Sequence, residues 1–221
     1  MSEFTARNPA FFYPSTDFGF LKPLSENWKI IRDELKQVMA NGTEESWMPT
    51  FPEYVKSENI KAWKVFTFLF FGMKSPRHID LAPKTAELVL QIPEIISCDF
   101  SFMEPKTHIL PHKGYSRMVL RCHLPLIVPA GDCGIRVGDT VHQWKEGELV
   151  VFDDSFDHEA WNKTDEQRVV LMFDIPNPLW GYTAEEISRY KIEHIDDPFL
   201  LSFASREEWL TAFSNKVLPL G

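Results

Sequence analysis

Cysteine is scarce and badly spaced for bridging. Cys98, Cys122 and Cys133 are odd in number and form no CxxC pair, so neither a disulfide framework nor a zinc ribbon is indicated. That usage fits a reducing cytosol, and a cytoplasmic location is expected. Basic residues are also in deficit, 23 against 32 acidic ones for a net charge of -9, and no Lys or Arg cluster occurs. Phosphate backbones and anionic bilayers need clustered cations, so neither nucleic acid nor a membrane is the expected partner. Long apolar runs are missing too. The most apolar window, VFTFLFFGM, is too short to span a bilayer as a helix, and the opening MSEFTARNPAFF lacks the basic and apolar regions of a signal peptide. There is no repeat and no low-complexity block.

What is present is ordinary for one globular unit: 221 residues, 44% hydrophobic and 25% charged. Trp28, Ile31, Leu35 and Val38 recur at helical spacing within residues 24–40, with Asn41-Gly42 as a stop. Pro49 and Pro52 make residues 43–62 a loop that edges the site. AWKVFTFLFFG reads as a buried strand, and Pro83 followed by KTAELVLQ as a helix with proline in its first turn. From Cys98 the pattern turns to short strands between glycine turns: CDFSFM, MVLRCHLPLIV, GIRVG, TVHQW, GELVVFD and RVVLMFDI. Closing such an antiparallel sheet on itself removes its edges and leaves a mouth for a small ligand. Thr183-Ala-Glu-Glu186 and Ser205-Arg-Glu-Glu208 fit capping boxes of two terminal helices, whose inward faces are expected at Ile187 and Tyr190, then Trp209 and Phe213.

Within the strand-rich part, HILPHKG and DDSFDHEAWN place His112 and His158 on distant strands. Neutral imidazoles are common ligands of divalent metals, and two such residues share one ion only if the sheet curls round it. His108 and His112 have the spacing of helical zinc ligands, but Pro111 and the extended sequence around them exclude that helix. Arg168 opens the apolar strand RVVLMFDI, where an unpaired guanidinium is costly to bury. A bound dicarboxylic acid would supply its partner. Arg121 and His123 flank Cys122 on one strand, so both face the same side. The other histidines, His78, His142 and His194, read as surface or packing residues, and Trp144 and Trp161 as wall and core.

SFMEPKTHILPHKG, RCHLPLIVP, the Cys-Gly-Ile-Arg turn at 133–136, Trp144 with EGELVVFDDSFDHEAWN, and Arg168 before FDIPNP follow one another in a specific order. That run resembles the aspartyl/asparaginyl beta-hydroxylase family of iron(II)- and 2-oxoglutarate-dependent oxygenases, and weaker likeness extends over residues 60–178. The resemblance implies a mainly β fold: a double-stranded beta-helix, jelly-roll or cupin-like core, with flanking N- and C-terminal α-helices. One oxygenase domain is expected over 1–221, with a helical and loop part at about 1–59, the core at about 60–178 and C-terminal helices at about 179–221. It further implies His112 and His158 as catalytic iron ligands. Ser101, Arg121, His123 and Arg168 would bind 2-oxoglutarate, with dioxygen as co-substrate.

Most 2-oxoglutarate oxygenases place a carboxylate two residues after the first histidine. Gly114 stands there, a gap shared by the hydroxylases proper, and a carboxylate from the acidic loop such as Asp157 is a candidate to reach in. A glycine at this place also marks the halogenases. The expected reaction is hydroxylation of an unactivated C–H bond on an amino-acid or peptidyl side chain. The alternatives are a small-metabolite substrate, a halogenation or desaturation outcome, or a non-catalytic metal-binding barrel. Asp99 and Val119 stand where the hydroxylases proper carry a lysine and an arginine for an acidic substrate, which points away from such a substrate.

Overall fold

The computed structural model describes residues 9–41, 46–59 and 61–219. Gly42, expected as the stop of the first long helix, lies outside them. In chain order the elements are β1 (Phe12–Tyr13), α1 (Lys22–Glu26), α2 (Trp28–Asn41), β2 (Met48–Pro49), β3 (Val55–Lys56), β4 (Trp63–Phe70) and β5 (Met73–Lys74). Then follow α3 (Pro76–Leu81), α4 (Pro83–Leu90), β6 (Ser97–Met103), β7 (Thr107–His112), β8 (Val119–Ile127), β9 (Cys133–Val137) and β10 (Thr140–His142). The chain ends with β11 (Val150–Phe152), β12 (His158–Asn162), β13 (Arg168–Pro176), α5 (Ala184–Glu193), α6 (Pro198–Leu201) and α7 (Arg206–Asn215).

Two antiparallel sheets result. The larger runs β1-β11-β8-β13-β6-β4-β2, with β5 on β4, and the smaller runs β10-β9-β12-β7-β3. From β6 to β13 the chain passes back and forth between the sheets, which is the winding of a jelly roll. The expected double-stranded beta-helix with helices at both ends is therefore present. Of the expected loop 43–62, residues 43–45 and 60 lie outside the described residues, and the rest holds more order than a loop: β2 pairs β4, β3 pairs β7, and a short 3-10 turn spans Pro52–Tyr54. Strands β7 and β12 are not among the apolar runs, because His, Pro and Glu interrupt their alternation.

Period-two patterning sorts the large sheet into two faces. Cys98, Phe100 and Phe102 of β6 and Leu120, Cys122 and Leu124 of β8 join the cluster that also holds Val169, Leu171 and Phe173 of β13. Ile31, Leu35 and Val38 of α2 pack on this outer face with Ala86 and Val89 of α4. The opposite face carries Asp99, Ser101, Arg121, His123, Arg168, Met172 and Asp174, and it looks inward. The C-terminal helices build a second cluster with Phe71, Met73 and Val119. Both capping boxes form, and Ile187, Trp209 and Phe213 are buried. Tyr190 is a correction: it is 58% exposed and stacks on His194 instead of facing the core, because Ile187 and Ile192 already fill the inner stripe of α5. Among the described residues no helix is long and apolar enough to cross a membrane.

Helix α4 starts at Pro83 without a side-chain cap of its own. Glu34 of α2 supplies one from outside, accepting from Lys84 N (3.0 Å), Thr85 N (2.7 Å) and Thr85 Oγ1 (2.7 Å). A carboxylate at a helix N-terminus satisfies orphan amides and complements the dipole. Glu34→Ala should therefore lower stability by about 2–3 kcal/mol, the scale of buried hydrogen bonds to a charged group. Urea unfolding checks this, and an unchanged midpoint would remove Glu34 as the clamp between α2 and α4.

Candidate active site

His112 ends β7 and His158 begins β12, and the two are direct partners in the antiparallel ladder. Their ring centroids lie 4.2 Å apart. A register shift between His158 and Ala160 marks a bulge at this point, the device by which a strand re-aims a side chain. Each ring is oriented through Nδ1. His112 Nδ1 donates to the Leu110 carbonyl at 2.7 Å and His158 Nδ1 to the Phe156 carbonyl at 3.0 Å. A carbonyl only accepts, so the proton of each neutral ring sits on Nδ1 and the Nε2 lone pair stays available. Tyr54 stacks on the His112 ring at 4.6 Å. Burial lowers both imidazole pKa values, that of His158 to about 3 with a further push from His112, so both rings are neutral at neutral pH.

A cavity of about 30 Å³ opens beside this pair, and its lining brings Ser101, His112, Arg121, His123, His158 and Arg168 together. Arg168 is 1% exposed and faces no carboxylate within ion-pair distance among the described residues. Its Nη1 donates to the Ser101 carbonyl at 3.1 Å, its Nε has no partner among the described residues, and its guanidinium lies over the Trp144 ring at 4.5 Å. Burial pulls its pKa down to about 10, which still leaves it a cation. Among the described residues neither ring nitrogen of His123 has a partner, and burial with the nearby Arg168 charge holds that ring neutral. Ser101 Oγ accepts from Trp63 Nε1 at 3.1 Å. Trp63 and Tyr54 were both missed by sequence reasoning, having no signal beyond aromatic character.

Arg121 faces inward beside His123, as the alternation requires, but its charge is already matched. Its Nε and Nη2 donate to both oxygens of Asp174 at 2.9 and 3.0 Å, and Asp154 Oδ2 lies 3.2 Å from Nη1. Asp174 was legible in principle, since it shares the parity of Arg168 along β13. Asp154 corrects the acidic-loop reading. The Asp157 carboxylate is half-exposed and pairs with Arg136 at 2.8 Å. A Cβ placed on Gly114 would instead collide with the Asp154 carboxylate, and Gly114 N donates to the Asp154 carbonyl at 2.7 Å. The glycine thus vacates a space that the completely buried Asp154 fills. Burial, opposed by Arg121, raises the Asp154 pKa to about 7. Among the described residues, no His, Cys, Asp or Glu joins the histidine pair in a three-ligand cluster.

Residues 25–178 match the family model of the aspartyl/asparaginyl beta-hydroxylases. An ornithine lipid ester-linked acyl 2-hydroxylase of Rhizobium tropici is 38% identical over 76% of this chain and 60% of its own length. The human aspartyl/asparaginyl beta-hydroxylase is 35% identical over 72% of this chain and 21% of its own length. The chain therefore spans less than two thirds of either relative. Among solved structures, a Pseudomonas putida prolyl-4-hydroxylase aligns with a TM-score of 0.45 at 15% identity, covering 69% of this chain and 86% of that one. An oxidoreductase of the 2OG-Fe(II) oxygenase family from Burkholderia pseudomallei aligns at 0.41 and 13%, covering 65% and 88%. With its family model matched over most of the chain and the order of its strands that of a jelly roll, the chain belongs to the aspartyl/asparaginyl beta-hydroxylase family.

Proposed function

We propose that this protein is an iron(II)- and 2-oxoglutarate-dependent dioxygenase that hydroxylates an unactivated C–H bond. The observation that carries the reading is Arg168, a buried cation without a carboxylate, facing the same cavity as two neutral histidines whose Nε2 atoms are unprotonated. A buried charge without a counter-ion calls for an anionic ligand, and a metal calls for deprotonated imidazole. The donor set fits the group: His112 and His158 would hold the iron, and Arg168 the distal carboxylate of 2-oxoglutarate, with Ser101, His123 and Arg121 around it. When bound, iron and 2-oxoglutarate with dioxygen supply the oxidation that turns C–H into C–OH, with succinate and carbon dioxide as the other products.

The chain's own residues then have separable tasks. The backbone carbonyls of Leu110 and Phe156 fix the histidine tautomers. The planar Arg168 fork, pressed on Trp144, orients a carboxylate and loses little entropy in doing so. Asp154, fixed behind Gly114, lies beside Arg121 and holds that guanidinium in place on the cavity wall. Tyr54, Trp63 and Phe152 shut water out of the reacting volume. The bond to be oxidised belongs to an amino-acid or peptidyl side chain on the reading of the family's name, or to an acyl chain on that of the Rhizobium relative.

Anaerobic addition of iron(II) and 2-oxoglutarate should produce the visible charge-transfer band of a chelated 2-oxo acid, and His158→Ala should abolish it while far-ultraviolet dichroism is retained. A band of full intensity in that variant would sink the ligand assignment. Arg168→Ala should raise the 2-oxoglutarate concentration for half-maximal band intensity at least tenfold, about 1.4 kcal/mol or more. An unchanged requirement would take Arg168 out of the cofactor site. Because the His158 pKa lies far below the ordinary imidazole value of about 6.5, protons do not compete for that ring between about pH 7 and pH 5. Manganese(II) affinity, measured by calorimetry, should fall less than tenfold across that interval, whereas two exposed histidines would lose far more.

A further inference from the structure

A second cavity, of about 130 Å³, adjoins the histidine site and shares Trp63, Arg121 and Met172 with it. Its walls are dominated by aromatic and aliphatic side chains, among them Phe51, Phe70 and Phe71, closed from the C-terminal side by Phe199, Leu200 and Trp209. The charged groups that line it are occupied with partners of their own. Asp99 accepts from Thr67, Asp174 holds Arg121, Asp197 caps α6 through the amides of Phe199 and Leu200, and Lys191 stands over the Tyr115 ring. A polar substrate would lose its hydration there and gain few partners, whereas a hydrocarbon would be stabilised by about 25 cal/mol for each Å² removed from water.

On the far side, Met48, Val65, Thr67, Phe203 and Leu218 also line a surface groove. This groove shares no lining residue with the histidine cavity, so the three spaces lie in series, with the apolar one in the middle. Lys61, Lys64 and Arg77 line the groove, and of these only Lys64 is paired among the described residues, with Glu104 at 3.5 Å. On a chain of net charge -9 this is a locally cationic place.

We propose that groove and cavity form one channel for an amphiphile: an anionic headgroup on Lys61, Lys64 and Arg77, a saturated hydrocarbon chain through the cavity, and a chain carbon presented beside Trp63 and Met172. That carbon's role as the oxidised one rests on the oxygenase reading; the channel itself does not. The oxidised C–H bond is then separated from the head by the length of chain that crosses the cavity.

Calorimetric titration of the metal-free protein with laurate, lauryl alcohol and acetate, all below micelle-forming concentrations, tests the channel. Laurate should bind at least tenfold more tightly than either lauryl alcohol, which lacks the charge, or acetate, which lacks the chain. The double variant Lys61→Glu, Arg77→Glu should weaken laurate about tenfold, about 1.4 kcal/mol, and leave lauryl alcohol unchanged. Met48→Trp, at the junction of groove and cavity, should weaken both chain-bearing probes. Laurate binding no tighter than acetate, or indifferent to both variants, overturns the proposal even if the charge-transfer band forms. Laurate binding as expected with no such band would instead leave the channel standing and remove the oxygenase reading.

Discussion

The backbone ladder of β13 is the constraint from which the interior follows. This strand lies between β6 and β8, and its register sets Val170 against Ser101, Met172 against Asp99 and His123, and Asp174 against Arg121. Because side chains alternate, Arg168, Met172 and Asp174 emerge on one face while Val169, Leu171 and Phe173 anchor the other against the helices. A slip of one residue would turn the guanidinium and the carboxylate into the outer apolar cluster. The polar interior is affordable only because the outer face of the same strand, packed with α2 and α4, fixes that register.

Two arginines on this face illustrate how burial assigns different tasks to like charges. Arg121 meets two carboxylates, so its charge is spent within the protein, tying β8 to β13 and to the turn that carries Asp154. Arg168 meets a serine carbonyl and an indole face, which solvate a guanidinium without neutralising it. Desolvating a cation without a partner costs several kcal/mol, and a structure that tolerates it has stabilised it elsewhere and is poised to gain when an anion arrives. The contrast separates a guanidinium left without a counter-ion from one that holds its neighbours together.

Legibility in the sequence followed the physics of each feature. The outer core was readable because apolar periodicity is local: Ile31, Leu35 and Val38 announce their helix, and RVVLMFDI its strand. Arg121 and His123 were correctly placed on one face by alternation alone, and the six expected site residues all line one cavity. The occupancy of Arg121 was not readable, because its partners lie on β13 and on the turn after β11, and pairing across a sheet depends on register that no local pattern contains. Tyr54 and Trp63 failed to stand out for the same reason. Tyr190 was misplaced because a capping box fixes where a helix starts and not how wide its buried stripe is.

Gly114 and Asp154 are best understood as one feature. A carboxylate attached two residues after His112 would ride on the same strand end and move with it. Here that volume is emptied by glycine and refilled from the turn between β11 and β12, four residues before His158, with Gly114 N hydrogen-bonded to the Asp154 carbonyl. The carboxyl is thereby fixed to the second histidine's connection and to Arg121 at once. A side chain at Gly114 must therefore expel Asp154 from its place and leave the Nη1 side of Arg121 without its acid. The glycine is required by packing, because the volume a side chain would take there already holds the acid of a buried charge pair.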